Sequence, residues 1–475
     1  MEGIGLNRQG IRHWIPSAGE LPGRQGWALG AALLLGPVAV GLLIARSSRF
    51  GLVFVAAVLL VYLAFRSIAF PVALAGVPSI LIGLYGSDPL PAKGVFVLLT
   101  AWLFLGIGVA LLSGAWPSSR SARRILAPPI ILVGVLAVLL ILRLDPGAYP
   151  KTKIELFLAQ SVPLLIAGIL IGLRATTLRL YVLLTLGVAL AGAAVLTQHL
   201  SSNDATQVFT ARFSIGTTYN PIWVGRTAAI GVLISLALIL GGFSRRASWV
   251  GYVSLPFLIV ALLASGSRGP VVALLVALVV LVALVMQNRA LRRRLVQIAV
   301  GVAVAAVVAA LIVPSSAVDR SASFLFGNTS ALSSNGRTQL WGEALSLFYG
   351  HFWTGVGTGG FAEHAPTGIF YPHNIVLEAA AELGVLGVAV LVAFLFLALR
   401  TGFRAWREAA SHEDRIAAAL ILSILVATVL NSLLSDAIET TDTLCLVVGL
   451  AYGLHVRLRA QALESGGSPQ DVART

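Results

Sequence analysis

A polar stripe lies at the start of one long apolar segment, within YPHNIVLEAAAELGVLG at residues 371–387. Asn374, Glu378 and Glu382 are spaced four residues apart, which places them on one face of a helix. A charged residue at the centre of a lipid-facing helix costs about 2.5 to 3.5 kcal/mol on insertion scales. The sequence therefore predicts that this stripe faces the interior of a helix bundle or a water-filled cavity.

His373 precedes this stripe, and the residues alone leave two interpretations of it open. A neutral imidazole at the mouth of a cavity, with a carboxylate to orient its second ring nitrogen, would meet the requirements of a general base. Alternatively, His373 simply forms a hydrogen bond at a helix end, beside Asn374 as the helix N-cap. A histidine considered by itself favours the second interpretation.

Three arginines lie in or beside the segments that join apolar runs. Arg268, in ASGSRGPVV, stands where two apolar runs meet with almost no loop between them. Arg337, in SSNGRTQLWGEAL, falls in the first turn of a predicted helix, where the helix dipole disfavours a cation unless an anionic ligand shares the site. The alternatives are that Arg268 extends to lipid headgroups and that Arg212, in TARFSIGTTYNP, is a solvated loop residue.

The glycines of GVGTGG, residues 355–360, also allow two interpretations. Their amides could form an anion-binding nest, but turn geometry is the more common reason for such a loop. The same side of the chain contains no Asp-x-Asp pair, no HExxH motif and no cluster of cysteine and histidine ligands. The sequence therefore predicts neither a catalytic metal nor a cofactor.

The composition identifies the class of protein that must position these residues. Of the 475 residues, 58% are hydrophobic and 11% are charged. A soluble protein of this length could not bury so much apolar surface, so we predict an all-α, polytopic membrane protein. The net charge of +14 falls in short clusters between apolar runs, which excludes nucleic acid as a partner and leaves the lipid bilayer. The single cysteine, Cys445, excludes an intramolecular disulfide.

Fourteen apolar runs are long enough to cross a bilayer, which predicts a bundle of about 12 to 14 transmembrane helices. They lie near 27–45, 50–65, 67–85, 94–113, 125–142, 154–173, 178–197, 222–242, 249–264, 269–286, 296–313, 375–399, 416–434 and 441–456. The first run lacks a small-residue cleavage site, so we interpret it as a span rather than a signal peptide. The predicted domains are a cytoplasmic segment at 1–26, a transmembrane domain at 27–460 and a disordered cytoplasmic tail at 461–475.

Basic residues set the predicted orientation of these spans. With the N-terminus in the cytoplasm, 22 of the 33 lysines and arginines fall on the cytoplasmic side, as the positive-inside rule requires. Two long loops, 198–221 and 314–372, then lie on the outer side, and we expect the functional site there because long loops are usually functional.

Aromatic residues are concentrated at residues 341–371 of the second loop. Eight of them fall in this stretch, about three times the chain average of 8%. They are Trp341, Phe348, Tyr349, Phe352, Trp353, Phe361, Phe370 and Tyr371. One interpretation is an interfacial aromatic belt on a short helix near 338–349, and the other is stacking against sugar rings or a lipid chain.

Four motifs taken together resemble the O-antigen ligase and O-antigen polymerase superfamily of bacterial membrane glycosyltransferases. They are SRGP at 267–270, GRTQLW at 336–341, GVGTGGF at 355–361 and HNIVLEAAAELGVLG at 373–387. The resemblance covers roughly residues 200–400, whereas the N-terminal segments are similar only in being hydrophobic. The fourteen predicted spans depart from the number of about twelve that many such ligases show.

The resemblance implies a transferase of the bacterial inner membrane. It implies that a glycan moves from an undecaprenyl-diphosphate carrier to an acceptor hydroxyl, of lipid A-core or a similar acceptor, on the periplasmic face, with inversion and without metal. Arg268 and Arg337 would bind the diphosphate and His373 would act on the acceptor hydroxyl. Arginines suit that task because they stabilise a leaving diphosphate where no Mg²⁺ site exists. The other predicted substrate-binding residues are Arg212, Trp341, Tyr371, Asn374 and Glu378.

Other functions remain open from the sequence. A polymerase of the same superfamily would use a second lipid-linked glycan as acceptor, and a protein acceptor is also compatible. A different class, a transporter or channel for an anionic solute, would also use basic residues facing a cavity. Against transport, the sequence has no internal repeats, and its unusual residues concentrate at one face instead of along a path through the midplane.

Overall fold

The structure is a computed structural model that describes residues 62–75, 89–144, 147–201, 221–241, 244–285, 336–365 and 369–464. The chain divides into two compact units, Met1–Leu63 and Ala64–Thr475. In these ranges the regular elements are helices, with one isolated backbone bridge between Leu144 and Thr358.

The helices of the second unit are labelled in chain order. They are α1 Ala69–Ala75, α2 Pro89–Leu112, α3 Arg120–Leu142, α4 Ala148–Leu156, α5 Val162–Gly172, α6 Ala175–Ser201, α7 Pro221–Gly241, α8 Arg245–Ala264, α9 Arg268–Val285, α10 Arg337–Gly350, α11 Gly360–His364, α12 Ile375–Glu408, α13 His412–Ser435 and α14 Asp442–Glu464. A π-helical turn, Phe157–Ser161, joins α4 to α5, and a 3₁₀ turn, Ile438–Thr440, precedes α14.

Nine helices in the described part of the chain are long and apolar enough to cross a membrane, counting α4 and α5 as one. The other eight are α3, α6 to α9 and α12 to α14, and together they confirm the predicted all-α polytopic bundle. Helix α2 corresponds to the run predicted near 94–113. The runs at 27–45, 50–65, 67–85 and 296–313 lie wholly or partly outside the described residues, so the total number of spans stays a prediction.

In the described part of the chain, α5 crosses α14 at close range. Gly168 and Gly172 of α5 face Gly449 and Gly453 of α14, so each helix contributes two glycines spaced four residues apart. A methyl group at Gly168 would lie 2.2 Å from the carbonyl oxygen of Leu446, so only glycine permits this approach. The crossing brings the 3₁₀ turn that precedes α14 against α4 and the π-helical turn.

Helix α12 is broken at Gly384, where φ is +67° and ψ is −160°. In an unbroken helix, the carbonyls of Ala381 and Glu382 would accept from amides one turn later. Here they accept instead from the amides of Val356 and Gly357, at 2.8 and 3.0 Å. The loop after α10 therefore pairs with the broken helix through backbone hydrogen bonds.

This docking explains the composition of the glycine-rich loop at 355–360. A methyl group at Gly355, where φ is +65°, would lie 2.2 Å from the carbonyl carbon of Glu382. The amide of Thr358, the next residue of the loop, donates to the carbonyl of Arg143 at 2.7 Å. Because these amides have backbone acceptors, the loop is explained by turn geometry and close packing rather than by an anion-binding nest.

Candidate active site

Three arginines converge at one end of the bundle. They are Arg226 of α7, Arg268 at the first position of α9 and Arg337 at the first position of α10. Burial lowers the pKa of Arg337, and the nearby charges of Arg226 and Arg268 lower it further. The structure therefore brings together the two arginines that the sequence predicts to share an anion site, and it adds a third.

Glycines lie next to two of these arginines, where helices pack against each other. The residue before Arg226 is Gly225, and a methyl group there would lie 3.2 Å from Cγ of Pro270 in α9. The residue after Arg268 is Gly269, whose built Cβ position lies 3.7 Å from Ser435 Oγ at the end of α13. Gly225 therefore permits a close approach of α7 to α9 beside Arg226, whereas a methyl group at Gly269 would make only ordinary contacts with α13.

Sequence reasoning misses Arg226, whose guanidinium forms an ion pair with Asp436, the residue after α13. Arg226 Nη2 also donates to Ser435 Oγ at 2.8 Å, and Ser432 Oγ donates to the second oxygen of Asp436 at 2.8 Å. The signal that could have found Arg226 is its place in the second turn of an apolar helix. An ionised side chain there needs a partner or a ligand.

A small cavity of about 60 Å³ lies beside Arg226, with Trp223, Asn431 and Asp436 among its lining residues. Arg226 Nε and Asn431 Oδ1 are buried and have no hydrogen-bond partner within the described ranges. Buried polar atoms of this kind are normally satisfied by water or by a ligand. The cavity therefore offers an unfilled donor and acceptor next to the arginines.

His373 has a φ of +58° and is the one described residue other than glycine with a positive φ. This left-handed conformation is costly for a residue with a side chain, so it persists only where the surroundings hold it. After His373, Asn374 Oδ1 accepts from the amides of Val376 and Leu377 at 3.0 and 3.1 Å. Asn374 is thus the N-cap of α12, while its contact with substrate stays a prediction.

Two aromatic residues hold the chain before His373. Trp341 Nε1 donates to the carbonyl of Pro372 at 3.1 Å, and the Tyr371 ring meets the imidazole edge-on with centroids 4.6 Å apart. Burial, together with nearby carboxylates, raises the pKa of Tyr371 to about 12, so its hydroxyl stays protonated at neutral pH. Both residues predicted to bind substrate therefore lie at the site, where they orient the histidine.

The imidazole of His373 is neutral at physiological pH. Burial lowers its pKa to about 4, with a further lowering by Arg337, against the opposing effects of a hydrogen bond to the backbone of Ser435 and the charge of Asp436. Its Nδ1 is buried and has no hydrogen-bond partner among the described residues. The site thus holds an unprotonated nitrogen beside a group of cations, as a base acting next to an anionic substrate requires.

The two glutamates of the α12 stripe face the interior of the bundle, where they bind Lys153 of α4. All three side chains are fully buried. Lys153 Nζ pairs with Glu378 and lies 2.7 Å from Glu382 Oε2, while Glu378 Oε2 accepts from the amide of Ile438 at 2.9 Å. The stripe faces inward as predicted, but the role of Glu378 in substrate binding stays a prediction.

Glu439 extends this buried group, which we call the lysine cluster: Lys153, Glu378, Glu382 and Glu439. Glu439 Oε2 lies 3.9 Å from Lys153 Nζ, and Glu439 Oε1 accepts from the Tyr149 hydroxyl at 2.9 Å. Glu439 belongs to the 3₁₀ turn that follows Asp436, so the cluster fixes the turn beside His373. Sequence reasoning misses Lys153; its place at the edge of an apolar run is the signal that could have marked it as a residue in need of a partner.

The eight aromatic residues of the second loop do not form one surface. Phe361 is fully buried, whereas Tyr349 and Trp353 are each 74% exposed. The short helix predicted near 338–349 is confirmed as α10. Trp353 lies against Gly384, where the apolar part of α12 begins, and this position is typical of an interfacial belt. Arg212, the remaining predicted substrate-binding residue, lies outside the described residues.

Residues 253–392 match the protein family Wzy_C, described as O-Antigen ligase. The matched segment includes Arg268, Arg337 and His373, whereas Arg226 and Asp436 lie outside it. No curated protein matches the chain. The match over residues 253–392 confirms the resemblance to the O-antigen ligase superfamily, in a chain whose described part has nine helices long and apolar enough to cross a membrane.

Proposed function

We propose that this protein transfers a glycan from an undecaprenyl-diphosphate carrier to an acceptor hydroxyl, with lipid A-core or a similar glycolipid as the acceptor. The observation that carries the proposal is the convergence of Arg226, Arg268 and Arg337 beside the neutral imidazole of His373. The bias of basic residues supports an orientation in which this end of the bundle faces the periplasmic side of the inner membrane.

The arginines are suited to a diphosphate. Burial is the main cause of the lowered pKa of Arg337, and the positive charges of Arg226 and Arg268 lower it further. An anionic ligand would relieve the repulsion between these charges. Each guanidinium can contact two phosphate oxygens at once, which fixes the orientation of the group as well as its charge. As the bond to the sugar breaks, the arginines stabilise the negative charge that develops on the leaving diphosphate.

His373 is suited to the acceptor. Its imidazole takes the proton of the acceptor hydroxyl while the oxygen attacks the anomeric carbon of the glycan, opposite the diphosphate. A new carbon–oxygen bond forms to the acceptor and the bond to the diphosphate breaks, so the configuration inverts. The lipid diphosphate leaves with its charge, and the proton remains on His373 until it is released to solvent.

Donor binding would also tune this base. Arg337 is one cause of the low pKa of His373, and a bound diphosphate would neutralise that positive charge. The pKa of His373 in the donor complex is therefore expected to lie above its value of about 4 in the free protein. The histidine becomes a stronger base when a leaving group is present.

The test is reconstitution of the purified chain in lipid with undecaprenyl-diphosphate glycan and two alternative acceptors. A glycosylated lipid A-core product supports the ligase, whereas elongation of the carrier-linked glycan identifies a polymerase of the same superfamily. His373→Asn serves as the matched inactive control, because asparagine also accepts a left-handed backbone. Movement of an anionic solute across the bilayer without any glycosylated product would overturn the proposal in favour of transport.

A further inference from the structure

A second cavity lies at the other end of the same helices. Its volume is about 230 Å³, and it is enclosed by α6, α7, α8, α13 and α14. Arg226 and the cavity-lining Leu238 are both on α7, and twelve residues of helix separate them by about 18 Å. Most of the lining is apolar, including Leu178, Val182, Ile234 and Leu420.

One arginine on this lining has unused donors. Arg457 is only 9% exposed, and its Nη2 donates to Asp414 Oδ1 at 2.7 Å. Its Nε and Nη1 are buried and find no hydrogen-bond partner within the described part of the chain. Buried charged donors without a partner are costly, so the arrangement is better explained if an acceptor enters the cavity.

The residues around the cavity mouth favour an anionic occupant. Arg179 and Glu413 are exposed and form an ion pair, so together they add no net charge at the cavity mouth. Arg245 and Arg246 begin α8 and immediately precede Ala247, which lines the cavity, and both are exposed. Leu183 also lines the cavity and is 49% exposed, so the apolar lining continues onto the outer surface of α6.

We propose that this cavity binds an anionic phospholipid of the leaflet opposite the arginine site. An acyl chain would lie along the apolar lining beside α6, and an oxygen of the headgroup phosphate would accept from Arg457 Nε and Nη1. A phospholipid fits better than a free anion because it uses both the apolar lining and the guanidinium. The inference does not depend on the transferase activity.

The experiment uses the full chain, purified in a neutral detergent, with bound lipid counted by native mass spectrometry. The protein is titrated with phosphatidylglycerol, phosphatidylcholine and inorganic phosphate. Phosphatidylglycerol should bind at one saturable site, phosphatidylcholine more weakly, and inorganic phosphate should compete only at far higher concentration. Arg457→Gln should weaken phosphatidylglycerol binding by about tenfold to a hundredfold, the effect of losing charge-assisted hydrogen bonds. Ala417→Phe, which places a ring in the cavity, should weaken it similarly.

The matched control is Arg459→Gln, which removes an exposed arginine two residues along α14 and should leave binding unchanged. Because Arg457→Gln leaves Asp414 without its ion pair, the double variant Arg457→Gln/Asp414→Asn tests the same loss without an unpaired carboxylate. Three results would each overturn the proposal: an equal loss in Arg459→Gln, equal affinity for the two lipids, or competition by inorganic phosphate at the lipid's own concentration. The first indicates diffuse surface attraction and the last a site for a free anion.

Discussion

The carboxylate of Asp436 binds the guanidinium of Arg226, and it also stabilises the protonated form of His373 nearby. Asp436 thus interacts electrostatically with both a proposed donor-binding arginine and the proposed base. Because the lowering effects on the pKa of His373 outweigh that of Asp436, the imidazole stays neutral at physiological pH. The arginine site is therefore cationic around an uncharged base.

Replacing each site arginine by lysine should abolish tight donor binding while keeping the positive charge. A single ammonium cannot reproduce the two-pronged contact of a guanidinium with a phosphate group, so Arg226→Lys, Arg268→Lys and Arg337→Lys should each weaken donor affinity by about tenfold or more. Binding of fluorescent undecaprenyl-diphosphate glycan measures this. Arg246→Lys, an exposed arginine at the start of α8, is the matched control. Unchanged donor affinity in all three variants would remove the arginines from the proposed donor site.

His373→Asn should slow transfer by about 10² to 10⁴ while donor affinity stays close to that of the wild type, since a general base acts on the acceptor. Single-turnover rates and donor binding are measured on the same preparation. If the variant lost donor affinity as severely as the arginine variants while its single-turnover rate was normal, His373 would be a ligand of the diphosphate instead.

The pH dependence of transfer should report the same histidine. Its base form is present above its pKa, so activity is lost as pH falls through that value, which is about 4 in the free protein. The acid limb of kcat/KM should therefore lie near pH 4, whereas the limb of kcat should lie higher, because bound diphosphate neutralises Arg337. Both limbs should vanish from the residual activity of His373→Asn. Acid limbs that survive this substitution would assign them to another group.

Transfer should persist in excess EDTA, because arginines are expected to stabilise the leaving diphosphate. Product formation is compared with and without the chelator, and again after addition of Mg²⁺ or Mn²⁺. Activity that disappeared on chelation and returned with either metal would refute this expectation.

Lys153→Met should destabilise the protein strongly, because it leaves the carboxylates of Glu378 and Glu382 buried without their cation. Removing one partner of a buried ion pair typically costs about 3 to 5 kcal/mol. Thermal unfolding in detergent should show a large fall in Tm, which Lys153→Met/Glu378→Gln/Glu382→Gln should partly restore. Lys151→Met, two residues away and exposed, should have little effect and serves as the control. A Tm equal to that of the wild type would mean that the lysine cluster does not hold α4 against α12.

Cysteines at Ser333 and Ser468 should respond oppositely to a membrane-impermeant thiol reagent in cells with a permeable outer envelope. The bias of basic residues predicts that 314–372 lie on the periplasmic side and both termini in the cytoplasm, so we expect only Ser333→Cys to be labelled. The native Cys445 is buried and should contribute little background. Labelling of Ser468→Cys alone would invert the orientation.

The sequence predicts features that depend on one helix at a time. Apolar runs locate the spans, the four-residue spacing on α12 predicts an inward face, and Asn374 is recognisable as an N-cap. The same reasoning could place Arg268 and Arg337 near helix starts, since a cation opposing the dipole needs an explanation.

Contacts between distant helices are beyond that reasoning. Hydropathy gives the length of a span but not its rotation or its neighbours, so nothing in the sequence pairs Lys153 with α12 or Arg226 with Asp436. The left-handed backbone of His373 is also unpredictable, because it depends on Trp341 and Tyr371 holding the preceding residues. In each case the interacting residue is distant in the sequence or belongs to another structural element.

The break at Gly384 lets the loop after α10 bind both segments of α12, because the loop forms backbone hydrogen bonds on each side of the glycine. The carbonyl of Phe352 accepts from the amide of Val385, after the break. The amides of residues 356 and 357 donate to carbonyls of α12 before the break, so the loop bridges the two segments of the helix. The exposed Trp353 belongs to this bridging loop. His373 lies just before the first segment of α12, residues 375–383, to which the loop is bound. We therefore expect a displacement of Trp353 to shift the start of α12, next to His373, because backbone hydrogen bonds join the loop to that segment.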